Sequence, residues 1–165
     1  MAIVKIEDKK YVSKASIKNV VNYVTDYEKT TGKYIGAIGT NNRIPQLMID
    51  QMVAVKSNYE KVQGYRQLRH IIVSFEQNEQ ITPEMAYFMA YDIARFYSGR
   101  YQICFGVHLN TENVHIHFVQ NTVSFVDGKL FSGAFYELSQ FKQHVNEVEG
   151  RYLYREDPVA ALDSF

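Results

Sequence analysis

Two apolar runs of strand length lie side by side in this chain, Tyr101–His108 and Val114–Asn121, separated only by Leu109-Asn110-Thr111-Glu112-Asn113. A connection that short folds the chain straight back and joins antiparallel neighbours. The sequence therefore predicts a hairpin near its middle, and the rest of the fold must be laid against that hairpin.

The remaining elements follow from apolar spacing. Ala2–Ile6 alternates apolar and basic residues and predicts a first strand. Ile17, Val20, Val21 and Val24 fall at helical spacing, so a helix is expected over about 15–26, with Ser13 or Ser16 as its cap. Tyr27–Gly32 reads as a polar turn closed by glycine, and Tyr34–Ile38 as a short strand. Past Pro45, residues 46–62 suit an amphipathic helix, and His70–Phe75 is a β-branched run typical of a buried strand. Thr82-Pro83-Glu84 starts a helix that runs to about Tyr97 and is stopped by Ser98-Gly99. Thr122–Val126 either extends the second hairpin strand or forms a bent continuation, and Asp127-Gly128 marks a tight turn. Phe135–Glu149 predicts a last helix ended by Gly150, with irregular chain beyond. The expected class is α+β, a central antiparallel sheet flanked by helices. Residues 1–165 suit one domain, whether an isolated one or one truncated at its C-terminus.

Composition narrows the function classes. No apolar run reaches the ~20 residues of a membrane span, and no secretory signal core opens the chain. Cys104 is the single cysteine, so no internal disulfide forms; it is expected to pack as a small hydrophobe, in a cytoplasmic protein. The formal net charge is zero, but residues 1–70 carry 12 Lys/Arg against 6 Asp/Glu, and residues 71–165 carry 6 against 12. Such an asymmetry offers one basic face to a phosphate backbone, or simply two solvated surfaces of opposite sign. Some of the thirteen tyrosines and ten phenylalanines are available for stacking on unpaired bases.

His108, His115 and His117 carry the chemistry. His115 and His117 are two apart on one strand and project from one face, and the turn returns the chain so that His108 lies beside His115. Three imidazoles then converge at one end of the hairpin, as a metal site with open coordination positions. Imidazole donors suit Mn, Zn, Ni or Co better than Mg.

With its flanking residues Val114 to Asn121, this cluster resembles the histidine motif of relaxases, the mobilisation nucleases of conjugative plasmids and integrative elements. These belong to the wider endonucleases with a His-hydrophobic-His core. Arg69-His70-Ile71-Ile72-Val73-Ser74-Phe75 resembles their second motif, and Asn19–Thr30 the first, with the catalytic tyrosine at a helix end. The likeness is greatest to the MobP-type relaxases. The resemblance implies that Tyr23 is the nucleophile, with Tyr27, one turn on, as its rival. It implies a divalent metal ion on His108, His115 and His117, Mn or Mg first, with Zn, Ni or Co as alternatives. It implies single-stranded DNA at an origin of transfer as substrate, a 5′-phosphotyrosyl intermediate, and accessory relaxosome proteins as further partners. Asn121 matches an asparagine that orients a ligand or contacts DNA, and His70 either lines the site or is an ordinary strand residue. His144 lies outside the motifs and is expected at the surface. Asn110 and Asn113 replace a common Asp and His, so the carboxylate that orients an imidazole is either missing or supplied by Glu112.

Other readings stay open. Rolling-circle initiators and single-strand transposases share the histidine pair but place the tyrosine after it, where Tyr136, Tyr152 and Tyr154 stand. A non-catalytic single-strand-binding module and a metal-dependent hydrolase are the remaining two.

Overall fold

Strands β1 (Ile3–Ile6), β2 (Ile35–Ile38), β3 (Leu68–Ser74), β4 (Ile103–His108) and β5 (His115–Asn121) form a single sheet in the order β1-β3-β5-β4-β2. Every neighbouring pair is antiparallel, so the α+β reading with a central antiparallel sheet holds. The computed structural model describes residues 1–154. The expected hairpin is β4–β5, with His108 opposite His115 and Gly106 opposite His117.

Five helices among the described residues cover the sheet: α1 (Ser16–Val24), α2 (Tyr27–Thr30), α3 (Pro45–Asn58), α4 (Pro83–Ser98) and α5 (Glu137–Leu153). Strand alternation sorts the side chains. Ile71, Val73, Ile103, Phe105, Val107, Ile116 and Phe118 face α4 and α5 in the larger core. Leu68, Cys104 and Val119 face α1 and α3 in the smaller one. The second face is where His70, His108, His115 and His117 also emerge, by the same parity.

Sequence signals set most boundaries. Thr82 caps α4 through its hydroxyl, which accepts from the Met85 amide at 3.2 Å, and Pro83 and Pro45 open their helices. Cys104 is fully buried, as expected, and burial pushes its thiol up to about 12.

Elsewhere the expectations need correction. Neither serine caps α1 with its side chain: Ala15 is the cap, and the Ser13 hydroxyl accepts from the Ala15 amide just ahead of the helix. The expected turn at 27–32 contains the short helix α2, and the left-handed region is entered at Thr31 and Gly32. α5 begins two residues later than expected and runs through Gly150 to Leu153. A mid-helix glycine costs only ~1 kcal/mol, and buried Val148 and Glu149 hold that turn down. Phe135 is no core residue, being 92% exposed. The irregular tail expected after Gly150 fails as far as Leu153; the rest of it, 155–165, lies outside the described residues. Among the described residues no helix is long and apolar enough to cross a membrane.

Candidate active site

The three histidines meet. One ring nitrogen from each of His108, His115 and His117 lies within 4.8 Å of the other two. Two imidazoles bound to one ion at about 2.1 Å stand at most about 4.2 Å apart. Ring adjustments of under about an ångström therefore close the set on a cation.

Each ring is held by a hydrogen bond through one nitrogen. His108 donates from Nε2 to the Val24 carbonyl at 2.9 Å, and His115 from Nδ1 to the Asn113 carbonyl at 2.9 Å. A carbonyl only accepts, so the lone pairs stand on Nδ1 of His108 and Nε2 of His115. His117 Nδ1 lies 2.8 Å from His70 Nε2, while its own Nε2 is buried without a hydrogen-bond partner. An orphaned buried nitrogen on one of three converging imidazoles is what a metal ion would satisfy, so these residues fit the implied group.

Burial also keeps His70, His108 and His117 neutral. It lowers His108 and His70 to about 4, and His117, further depressed by the neighbouring histidines and Lys29, to about 2. Neutral imidazole is the ligating form.

Tyr23 completes the group. It leaves the end of α1, 46% exposed, with its ring centroid 5.6 Å from those of His108 and His117 and 6.2 Å from that of His70. Lys29 places its ammonium 5.1 Å from the Tyr23 ring centre. Gly106 makes this approach possible. A Cβ there would sit 2.0 Å from the Val24 carbonyl oxygen, so only glycine lets the end of α1 rest on β4. A cavity of about 380 Å³ opens beside the group, lined by Glu7, Lys9, Tyr11, Asn19, Val20, Tyr23, His70, Ile72 and His117.

The other expected residues, His70 apart, fall elsewhere. Tyr27 is 72% exposed and packs its ring over Gly32 rather than on the histidines. Asn121 is four residues beyond His117, about 13 Å along the strand, and fully buried. Its amide donates to the Met52 carbonyl and the Gln102 side chain, and its oxygen accepts from Val123. It pins α3 and β4 to the end of β5, and nothing of it is left to touch DNA or a ligand. Glu112 is exposed and accepts from Gln77, so it does not orient an imidazole; a backbone carbonyl and Thr111 hold His115 instead. His70 lines the site. His144 is half-buried and donates to the Asp92 carbonyl, correcting its surface assignment. Tyr136 caps α5, Tyr152 bonds to Asp92 on α4, and Tyr154 is exposed beyond α5.

Sequence reasoning missed Gly106 and Tyr11. A glycine inside an apolar strand is a recognised sign of close backbone approach, so Gly106 was readable. Nothing in the Lys-rich stretch around Tyr11 distinguishes it.

The antiparallel sheet thus bears the histidine trio on one face, with the helix-end tyrosine over it. Residues 23–153 match the relaxase nuclease domain described as MobA/VirD2-like, and the chain belongs to that family. Its activity is of relaxase type, the nicking of DNA. Comparison with curated proteins returns no match.

Proposed function

We propose that this domain nicks one strand of DNA at an origin of transfer by transesterification onto Tyr23, in the mobilisation of a conjugative element. The observation that carries the reading is the Tyr23 ring standing over His108 and His117, at 5.6 Å from each.

Tyr23 Oη attacks the scissile phosphorus. The new bond is Oη–P and the bond broken is P–O3′, so the 5′-phosphate stays on the protein and the 3′-oxygen leaves, taking up a proton as a hydroxyl. The phenolic proton leaves with the attack. A phenol is a weak nucleophile, so the barrier must fall through placement and charge. α1 supplies placement, and Lys29 supplies positive charge beside the ring. His108, His115 and His117 would hold a divalent ion, which polarises a phosphate oxygen when bound. The candidate set is all imidazole, which favours Mn, Zn, Ni or Co over Mg. Because the ester keeps the energy of the original bond, a strand end can later displace Tyr23 and be rejoined.

Incubation with single-stranded origin DNA and Mn(II), read on a denaturing gel, tests the proposal. A covalent protein–DNA band is expected with the parent and none with Tyr23→Phe. Hydrolysed DNA without a covalent band, or an undiminished band in Tyr23→Phe, overturns it.

A further inference from the structure

Tyr11 lies outside every helix and strand, with φ at 47°. Bulky residues rarely occupy that region, and holding one there strains the backbone. The other non-glycine residues there all follow helical turns: Thr31 and Gln80 cap them, and Glu60 comes just after α3. Tyr11 closes no helix. Its carbonyl accepts from the Gln67 amide at 2.8 Å, and its hydroxyl lies 3.2 Å from His70 Nδ1. The strained backbone thus aims a phenol at an imidazole, and that imidazole touches His117 at 2.8 Å.

We propose that Tyr11 and His70 form a relay that sets the tautomer of His117, making Tyr11 a positioning residue for the metal centre. The inference rests on the reading of His117 as a ligand. With all three groups neutral, two proton arrangements satisfy both hydrogen bonds. In one, Tyr11 donates to His70 Nδ1, and His70 donates from Nε2 to His117 Nδ1. His117 must then carry its own proton on Nε2, which blocks that nitrogen. In the other, His117 donates from Nδ1 to His70 Nε2, and His70 donates from Nδ1 to the Tyr11 oxygen. Only this one frees the Nε2 lone pair of His117. Both hold one proton on each group, so the choice is of direction and not of charge. In the ligating arrangement Tyr11 is the final acceptor, and its own hydroxyl hydrogen turns into the cavity that it shares with Tyr23.

The full chain without DNA provides the test, with Mn(II) affinity read by electron paramagnetic resonance. Tyr11→Phe removes the oxygen and keeps the ring. Its Mn(II) affinity should fall about 10-fold, the lower end for residues that orient a ligand, because the cavity lets water replace part of the acceptor. The metal-free melting temperature should not fall. In a His70→Gln background the same change should have no further effect. Nitrogen-15 spectra of the imidazoles in the Zn(II)-loaded parent should show the proton on Nδ1 of both His70 and His117. Metal uptake by the parent with an unmoved affinity in Tyr11→Phe, or a proton on His70 Nε2 in the loaded protein, overturns the relay alone. No uptake of Mn(II) or Zn(II) by the parent overturns the metal reading as well.

Discussion

The two faces of the β4–β5 hairpin are built from alternate residues of the same strands, and they do opposite things. Phe105, Val107, Ile116 and Phe118 point one way, into a core sealed by α4 and α5. Gly106, His108, His115 and His117 lie between them in sequence and emerge on the other side, where α1 covers the sheet only partly. The apolar face gives stability and a rigid back. The histidine face gives up packing for four neighbouring imidazoles and an open cavity. A one-residue change of register would exchange the two sets, so the apolar face also fixes where the histidines point.

Adjacent residues on β5 should therefore behave as opposites. His117→Ala should lower Mn(II) affinity more than about 100-fold, beyond what changes behind a ligand give. The metal-free fold should lose about 1–3 kcal/mol, since His70 Nε2 loses its partner while an unsatisfied buried nitrogen goes with the ring. Phe118→Ala should cost about 3–5 kcal/mol of unfolding free energy and leave the Mn(II) affinity of the folded protein unchanged. Titration and denaturant unfolding of both variants decide it; equal losses of affinity would erase the distinction between the faces.

Gly106→Ala probes the seam. The added methyl must displace the Val24 carbonyl, and with it Tyr23 and the bond that holds His108. Yield of the covalent adduct should fall about 10–100-fold, with a stability loss of about 1–3 kcal/mol. An unaltered adduct yield would mean that α1 does not position Tyr23.

A separate effect is expected with pH, in metal-free protein. His70 and His108 are lowered to about 4 and His117 to about 2, from an unfolded value near 6.5. Below 6.5 the unfolded chain takes up protons that the folded chain refuses. Stability is thus complete above that pH and is lost as pH falls through it towards 4. The loss between pH 7 and 5 is on the order of 2 kcal/mol per histidine. Melting temperatures across this range should fall less steeply in His117→Ala than in the parent, and as steeply in Phe118→Ala. A flat profile in the parent would contradict the burial of neutral rings.

How much of this was legible follows from range. The hairpin and the convergence of three histidines are local, set by strand parity and one short turn, and both were readable. Tyr23 was reached only through family resemblance, because α1 shows merely that it lies off the apolar face of Ile17, Val21 and Val24. The contact of His70 with His117 depends on the register between β3 and β5, which are distant in sequence. Asn121 misled because a motif position carries no statement of burial, and here its amide is consumed by the fold. Tyr11 depends on a backbone conformation that its residue type does not advertise.

The central claim is that one tyrosine, set over the histidine trio, takes the DNA. Tryptic digestion of the covalent adduct followed by fragmentation in the mass spectrometer locates the phosphorylated residue. Cleavage after Lys18 and Lys29 yields the peptide Asn19–Lys29, which holds both Tyr23 and Tyr27. Phosphonucleotide on Tyr23 is the predicted result; its appearance on Tyr27, Tyr136 or Tyr152 would contradict the account.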